Sequence, residues 1–355
     1  MNKLESIKRE IVSTPEDAFI ITDETNVRYA LGMEISDAYL LITHNDIYLL
    51  TDFRYKEAAD TAVGELCEVL MPKDKIAFLA EALHKVGARK LFFEGGITTY
   101  AFYKKLKDAV PGIELADCGK AMDTLRAVKS EDEISSIKMA QNIADAAFKE
   151  LLGRLTTDMS EIEVAAELEY LMRRMGSEGT AFQTIAVSGD ASALPHGVPR
   201  NVKLKAGFLT LDFGAKFNGY CSDMTRTLAI GRADNEMKKL YNTVLNAQLS
   251  AIEYLSSGGR DAGAADRVAR EIIDVEYPGA FGHSLGHGVG LLVHEAPRLS
   301  PSAGGDILVP GNVVTVEPGI YLYGKYGCRI EDMVAIGNDG VFNFTNSPKE
   351  LIEIT

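Results

Sequence analysis

Long apolar runs, clusters of basic residues and closely spaced cysteines are all missing from this sequence of 355 residues. No apolar run approaches the roughly 20 residues that a membrane-spanning helix needs, so we expect no membrane segment. The four cysteines are scattered without a CxxC motif, which favours reduced thiols over disulfides in a chain of this length. No cationic region followed by a long apolar core precedes the first strand, as a secretory signal peptide would require. We therefore expect a cytoplasmic protein.

The charge balance is acidic, with 37 basic and 51 acidic side chains and a formal net charge of −14. A nucleic-acid-binding surface is expected to be basic, and no run of Lys or Arg supplies one, so we expect no nucleic-acid partner. Hydrophobic residues make up 46% and charged residues 25% of the sequence, as in ordinary globular proteins. A chain of this length is about right for two domains.

The N-terminal part, residues 1–125, alternates short apolar runs with polar helical stretches, which predicts an α/β domain. The apolar runs that we interpret as strands are 17–23, 38–53 and 90–96. Asn45-Asp46 lies between two apolar halves of the second run and indicates a hairpin. The polar stretches that we interpret as helices are 54–63 and 75–86.

The remaining part, residues 126–355, begins with two long helices and then changes to strands separated by glycine-rich turns. Each helix is marked by a capping box, a serine followed three residues later by glutamate, at Ser130 and at Ser160. The later pattern predicts strands at 207–214, 217–230, 312–321 and 328–336, and helices at 235–256 and 262–274. The fold class that we predict is α/β (α+β), in two domains with a boundary near residue 125.

Three of the six histidines, His283, His287 and His294, lie within twelve residues of one another in the stretch 281–298. Four glycines in the same stretch allow another group to approach the backbone closely. Imidazole is a common metal ligand and proton-transfer group, so this stretch is a candidate functional site.

Four acidic residues interrupt apolar, β-rich segments: Asp212, Asp223, Glu317 and Glu331. Any one of them alone could be a structural hydrogen-bonding residue. Four like charges brought together would instead repel and raise one another's pKa unless cations held them. Carboxylates with one imidazole suit a divalent metal ion such as Mn²⁺, which we favour, or Co²⁺, with Zn²⁺ as a further alternative. Two metal ions suit four carboxylates better than one, because carboxylates can bridge.

In order and spacing, these residues resemble the five metal ligands of the pita-bread-fold metallopeptidases, which include methionine aminopeptidases, aminopeptidase P and prolidase. The residues that carry the resemblance are Asp212 and Asp223, eleven apart, His287 in GHGVG, Glu317 in TVEPG and Glu331 in RIEDM. The resemblance covers about 126–350, and the preceding domain is similar to the creatinase-type N-terminal domain of the Xaa-Pro branch.

The resemblance implies a dinuclear metal centre in which each of the five residues has a role. Asp212 would bind one metal ion, Asp223 and Glu331 would bridge the two, and His287 and Glu317 would complete the second. A metal-bridging hydroxide would be the nucleophile, with Glu317 as the general base.

Four further residues are implied to handle the substrate. His294 would contact the scissile carbonyl oxygen, and His283 would transfer a proton or orient the imide bond at proline. His196, in SALPHGVP, matches a histidine that faces the substrate, and Arg329 would contact the substrate or a ligand carboxylate. The alternative for His283 and His196 is a structural role, and for Arg329 a salt bridge alone.

Within the family, the sequence favours the Xaa-Pro branch. Methionine aminopeptidases generally lack the first 125 residues, and creatinase and the non-catalytic relatives depart from the ligand pattern. Arg298, in VHEAPR, matches an arginine that some prolidases use to bind the C-terminal carboxylate of the substrate, which favours Xaa-Pro dipeptides. The alternatives are a surface role for Arg298 and an aminopeptidase P that removes the residue before proline from longer peptides.

Two functions of other classes are weaker alternatives. The segment 282–286 formally matches GxSxG, but a serine hydrolase needs a histidine well downstream, and none follows His294. A non-catalytic peptide-binding module with an inert metal site is the other. The family resemblance also suggests a homodimer in which the N-terminal domain of one subunit edges the other's site, with Asp52 and Arg54 as edge residues.

Overall fold

A computed structural model describes residues 3–355, which divide into two compact units, one ending at Arg126 and the other spanning Ala127–Thr355. No helix in this described part of the chain is long and apolar enough to cross a membrane.

The N-terminal unit is built around one mixed sheet of six strands. Its helices are α1 (Lys3–Ile11), α2 (Glu24–Leu31), α3 (Lys56–Val63), α4 (Lys75–Val86), α5 (Tyr100–Ala109) and α6 (Ala121–Ala127). Its strands are β1 (Asp17–Ile21), β2 (Tyr39–Thr43), β3 (Ile47–Leu50), β4 (Glu68–Leu70), β5 (Lys90–Phe93) and β6 (Glu114–Asp117). The strand order is β4-β3-β2-β1-β5-β6. All residues of the inner strand β1 are buried, which explains why its last four, 18–21, form an unbroken apolar run.

The predicted hairpin of this unit is confirmed, because β2 pairs antiparallel with β3 across the Asn45-Asp46 turn. Helix α4 also has the predicted bounds, and α3 begins two residues later than predicted. Helices α1, α2, α5 and α6 and strands β4 and β6 were not predicted, since the helices have at most 10 residues and the strands at most 4.

The second unit contains four long helices and two larger sheets. Its helices are α7 (Glu131–Leu152), α8 (Glu161–Arg174), α9 (Asn235–Ser256) and α10 (Ala262–Glu276). Its first strands are β7 (Ile185–Ser188), β8 (Gly207–Phe213), β9 (Lys216–Phe217), β10 (Tyr220–Cys221) and β11 (Met224–Ile230). Its later strands are β12 (Gly286–Gly288), β13 (Glu295–Leu299), β14 (Val313–Val316), β15 (Gly319–Leu322), β16 (Tyr326–Arg329), β17 (Asp332–Ile336), β18 (Val341–Asn343) and β19 (Glu353–Ile354).

Each helix pair of the second unit packs on its own apolar core. Helices α7 and α8 share a core with the buried residues of β8 and β11, in a sheet ordered β19-β11-β8-β7. Helices α9 and α10 share another with β14 and β17, in a sheet ordered β13-β12-β14-β17-β18. Both predicted capping boxes are confirmed, with Ser130 starting α7 and Ser160 starting α8.

Three strands that the sequence predicted for this unit are wrong as single strands, because each is interrupted. The predicted strand 217–230 is a small β9–β10 hairpin followed by β11. The predicted strand 312–321 breaks between β14 and β15 at Glu317-Pro318, where proline lacks the N–H that a ladder needs. The predicted strand 328–336 breaks between β16 and β17 at Ile330-Glu331. At the break after β14 the chain leaves the five-stranded sheet and forms the β15–β16 hairpin. At the break before β17 it returns to the five-stranded sheet.

Candidate metal centre

The breaks in the strands place the acidic residues that the sequence singled out. Asp212 lies within β8, whereas Asp223 directly precedes β11, Glu317 directly follows β14 and Glu331 directly precedes β17. His287 is the central residue of β12, which pairs with β14. A carboxylate at the end of a strand can turn toward a neighbouring sheet, so residues far apart in sequence converge here.

The converging side chains lie within metal-binding distance of one another. Ligand atoms of Asp223, His287 and Glu331 all lie within 4.8 Å of one another. His287 Nε2 is 3.2 Å from Glu317 Oε1 and 3.6 Å from Asp223 Oδ2. On the other side of the ring, Nδ1 is 3.1 Å from the carbonyl oxygen of Gly288 and therefore carries the hydrogen. Nε2 is then left to face the carboxylates, as a ligating histidine requires.

The carboxylates of the cluster carry more negative charge than the neighbouring guanidinium compensates. Burial, then repulsion by Glu331, raises the pKa of Asp223 well above its usual range. Burial, then repulsion by Glu317, does the same to the pKa of Glu331. Burial also raises the pKa of Asp212, although the Arg329 guanidinium opposes this, with Nη2 only 2.6 Å from Asp212 Oδ2. Four carboxylates thus face a single guanidinium.

The residues present fit a divalent metal centre. Asp212 Oδ1 is buried and has no hydrogen-bond partner among residues 3–355, which is costly unless a cation takes the lone pairs. Against the cost of burial, His287 lowers the pKa of Glu317 and Glu317 raises the pKa of His287, so the ring and this carboxylate attract each other. Oxygen donors with one imidazole are the ligands of hard-to-borderline divalent ions.

The carboxylates lie at the floor of a cavity of about 510 Å³. All ten residues that the sequence analysis assigned to the site line it: Asp212, Asp223, His287, Glu317, Glu331, His196, His283, His294, Arg298 and Arg329. Apolar side chains of Phe182, Ile185, Val198 and Val293 contribute to the wall as well. The size suits a small peptide.

His283 is held by hydrogen bonds on both sides of its ring. Its Nδ1 donates to the carbonyl oxygen of Ser284 at 2.9 Å, so its Nε2 accepts from the Tyr321 hydroxyl at 3.0 Å. Burial lowers the pKa of His283, which favours the neutral ring. The stretch around it is not helical, and no strand leads from α10 into Ser284, so the strand–turn–helix context of a serine-hydrolase elbow is missing.

His294 and Arg298 line the cavity and are both exposed. The ring of His294 stands edge-on to that of His287, with 4.4 Å between the ring centroids. Partial burial, then the neighbouring His287, lowers the pKa of His294. Arg298 is exposed and is the direct cross-strand partner of His287 in the β12–β13 ladder. Its guanidinium has no hydrogen-bond or acidic partner in the part of the chain that the structure describes.

Tyr321 and Thr225 belong to the site but were missed in the sequence. The Tyr321 hydroxyl accepts from Arg329 Nη1 at 2.7 Å while it donates to His283. The Thr225 hydroxyl accepts from Arg329 Nε at 3.0 Å and donates to Glu331 Oε2 at 2.7 Å. Both residues sit in β-rich segments where Tyr and Thr are common, so nothing in the sequence distinguishes them.

A model of metallopeptidase family M24 matches residues 135–338, and a model of the creatinase/prolidase N-terminal domain matches residues 3–128. The chain belongs to metallopeptidase family M24. It is 37% identical to a Xaa-Pro dipeptidase from Pyrococcus horikoshii, over 95% of this chain and 94% of that protein. This M24 chain therefore has the fold that the sequence predicted, a pita-bread domain preceded by a creatinase-type domain, and family membership implies bound divalent metal ions.

Two solved structures are similar to the chain along nearly its whole length. A Xaa-Pro dipeptidase from Bacillus anthracis has a TM-score of 0.92 at 39% identity and covers 99% of both chains. An X-Pro aminopeptidase from Thermotoga maritima has a TM-score of 0.90 at 35% identity, covering 99% of this chain and all of that one (100%). The activities named for these two proteins match the two alternatives within the Xaa-Pro branch.

Proposed function

We propose that this M24 peptidase hydrolyses the peptide bond before proline and prefers Xaa-Pro dipeptides to longer peptides. Hydrolysis of Xaa-Pro bonds agrees with the relatives of known activity. The preference for dipeptides rests on one observation, the unpartnered guanidinium of Arg298 on the same rung of the ladder as His287. A guanidinium at this place can bind a substrate carboxylate through two parallel hydrogen bonds.

The metal ions would be held by Asp212, Asp223, His287, Glu317 and Glu331, and we propose Mn²⁺ as the ion, with Co²⁺ or Zn²⁺ as alternatives. When bound, they would supply Lewis-acid activation of water and of the scissile carbonyl group. Family membership supports divalent metal ions, and the choice of Mn²⁺ rests on the oxygen-rich donor set.

The other polar residues would bind the substrate and move protons. Glu317, whose pKa is held low by His287 against the cost of burial, is ionised and can accept a proton from water as general base. His294 is neutral near pH 7 because its pKa is lowered, so its ring N–H can donate to the scissile carbonyl oxygen. His283 is proposed to orient the imide bond at proline from its fixed position beside Tyr321.

Three substrates that differ only at the C-terminus test the dipeptide preference in Mn²⁺-loaded protein: Ala-Pro, its amide Ala-Pro-NH₂, and Ala-Pro-Gly. We expect kcat/KM to be at least about tenfold higher for Ala-Pro than for the other two, because only its carboxylate directly follows proline. A preference for the tripeptide would reject the dipeptidase and favour an aminopeptidase P. Hydrolysis that persists in excess chelator would reject the metallopeptidase itself.

We also propose that the protein is a homodimer in the cytoplasm. In this dimer, Asp52 and Arg54 of one subunit would lie at the edge of the other subunit's site. The supporting observation is that Phe53, between them, is 83% exposed, so its ring is available to pack against a second chain. Sedimentation of the purified protein is expected to give twice the chain mass, and Phe53→Ser to shift it toward the monomer. A monomeric wild-type protein would contradict this arrangement.

A further inference from the structure

A loop in the second unit carries the substrate-handling histidine that lies outside the glycine-rich stretch. This segment, the His196 loop, leaves β7 at Ser188, passes through a tight helical turn at Gly189–Ala193 and ends at Arg200. Its residues 195–198 line the cavity. The His196 ring makes no hydrogen bond to any described residue, so its position depends on the backbone that carries it.

Both ends of the His196 loop bind one buried carboxylate, that of Glu161 at the start of α8. At the first end, the backbone N–H and the hydroxyl of Ser188 donate to Glu161 Oε1 at 2.8 and 2.9 Å. At the other end, the backbone N–H and the Nε–H of Arg200 donate to Oε2 at 3.0 and 2.8 Å. Arg200 Nη2 donates to Oε1 at 2.6 Å as well. The carboxylate is fully buried (0% exposed) and closes the neck of the loop.

Two further contacts hold the part of the loop next to the histidine. Arg329 Nη1 donates to the carbonyl oxygen of Pro195 at 3.2 Å, while the same guanidinium binds Asp212. A side chain at Gly197 would come within 2.9 Å of Val187 Cγ1, so the loop lies close against β7 at this point. The loop is therefore tied to the carboxylate cluster near its tip and to Glu161 at its neck.

We propose that Glu161 and Arg200 are positioning residues for the substrate: their carboxylate–guanidinium clamp fixes the neck of the His196 loop and so sets the place of the His196 ring on the cavity wall. The inference rests on the proposed function, because it takes His196 as a substrate contact. Neither clamp residue lines the cavity, so both act through the loop.

A fluorescent reporter tests the clamp without any activity measurement. The sequence contains no tryptophan, so Leu194→Trp, at a half-exposed position inside the loop, gives a single tryptophan that can be excited selectively at wavelengths where tyrosine does not absorb. In this background, Arg200→Met is expected to lower the fluorescence anisotropy and Arg200→Lys to lower it less. The matched control is Lys203→Met, which breaks an exposed ion pair with Asp158 just outside the loop. Unchanged anisotropy in Arg200→Met would overturn the proposal.

A double-mutant cycle tests whether the clamp acts through His196. Arg200→Met and His196→Ala are each expected to lower kcat/KM for Ala-Pro about tenfold, and the double variant to lose no more than about tenfold. Losses that multiply to about a hundredfold would overturn the positioning role, since a purely structural effect would add to that of His196. A wild-type protein inactive on Ala-Pro would instead reject the proposed function, and the anisotropy would still decide the clamp.

Discussion

At the scale of single residues, the metal centre is defined by charges that the fold leaves uncompensated. Asp223 and Glu331 are each almost fully buried, and burial raises the pKa of both. Repulsion adds to this effect, from Glu331 on Asp223 and from Glu317 on Glu331. Divalent cations would relieve this repulsion, so metal binding and folding stability are expected to be linked.

Glu331→Gln is expected to stabilise the metal-free protein while removing its response to metal. The folded-state pKa of Glu331 is raised above its ordinary value of 4.5, so this group favours folding below that pH and disfavours it as pH rises through the folded pKa. At pH 8 the variant should melt about 3 °C or more above the wild type, and the gap should close as pH falls toward 4.5. Calorimetry of the chelator-treated wild type and variant, each at pH 8 and at pH values down to 4.5, measures the difference in melting temperature and its dependence on pH.

Glu271→Gln, on the exposed face of α10, is the matched control and should melt like the wild type at every pH. Added Mn²⁺ should raise the melting temperature of the wild type and of this control, and hardly that of Glu331→Gln. A Glu331→Gln variant that melts below the wild type at pH 8 would show that this carboxylate is not repelled in the folded protein.

Arg298→Ala is expected to raise KM for Ala-Pro about 10- to 100-fold, because it removes a pair of charge-assisted hydrogen bonds to the substrate carboxylate. Its kcat should change little, because the carboxylate of the dipeptide is bound equally in the ground and transition states. Arg298→Lys keeps the positive charge but loses the planar guanidinium group, so its KM for Ala-Pro should lie between those of the wild type and Arg298→Ala. An unchanged KM in Arg298→Ala would mean that this arginine does not bind the carboxylate.

The charged residues of the site could be predicted because each is costly in its segment, as Asp212 is inside an apolar strand. The neutral residues that orient them could not. Tyr321 and Thr225 satisfy ordinary β propensity, and their hydroxyl contacts with Arg329 depend on how separate sheets come together. The apolar residues of the cavity wall, such as Phe182 and Val198, could not be predicted either, because their place in the cavity also depends on how separate segments pack.

At the scale of secondary-structure elements, strand β12 brings His287, the proposed metal ligand, to the cluster, and its glycines allow the close packing this requires. A side chain at Gly286 would lie 2.0 Å from the carbonyl oxygen of Thr315, which is backbone and cannot move aside. Gly282, four residues earlier, has no neighbour within 4 Å of such a side chain.

Gly286→Ala is therefore expected to lower the free energy of unfolding by about 2 kcal/mol or more, and to weaken Mn²⁺ binding by displacing His287. Gly282→Ala, the same change in the same stretch, should alter the unfolding free energy by less than about 0.5 kcal/mol. Urea unfolding and metal titration of the two variants measure both effects. Equal losses in the two variants would contradict the close approach of β12 to Thr315.

Long periodic elements were predicted well and interrupted ones were not. The capping boxes and amphipathic faces of α7 and α8 specify these helices locally. The strand breaks at Glu317-Pro318 and at Glu331 depend on partner strands, since β14 and β17 pair in one sheet while β15 and β16 pair in another. Apolar residues continue through each break, so the sequence pattern predicts one continuous strand in each place.

At the scale of the whole molecule, the chain combines a six-stranded N-terminal unit with a second unit in which two helix-covered sheets supply the proposed ligands to one cluster. β8 and the start of β11 contribute from one sheet, and β12, β14 and β17 from the other. Because neither sheet alone provides the complete set, the metal centre can form only when the second unit is folded. Family membership and the fold could be predicted from five short motifs in order, since their spacing reflects this topology.

The central claim is that these ligands form a dinuclear centre that hydrolyses the Xaa-Pro bond. It is tested most directly by titrating metal-free protein with Mn²⁺ while the initial rate of Ala-Pro hydrolysis is measured. The rate should start at background and reach its plateau at about two equivalents of Mn²⁺ per chain. A plateau at one equivalent, or full activity before any metal is added, would contradict the dinuclear centre.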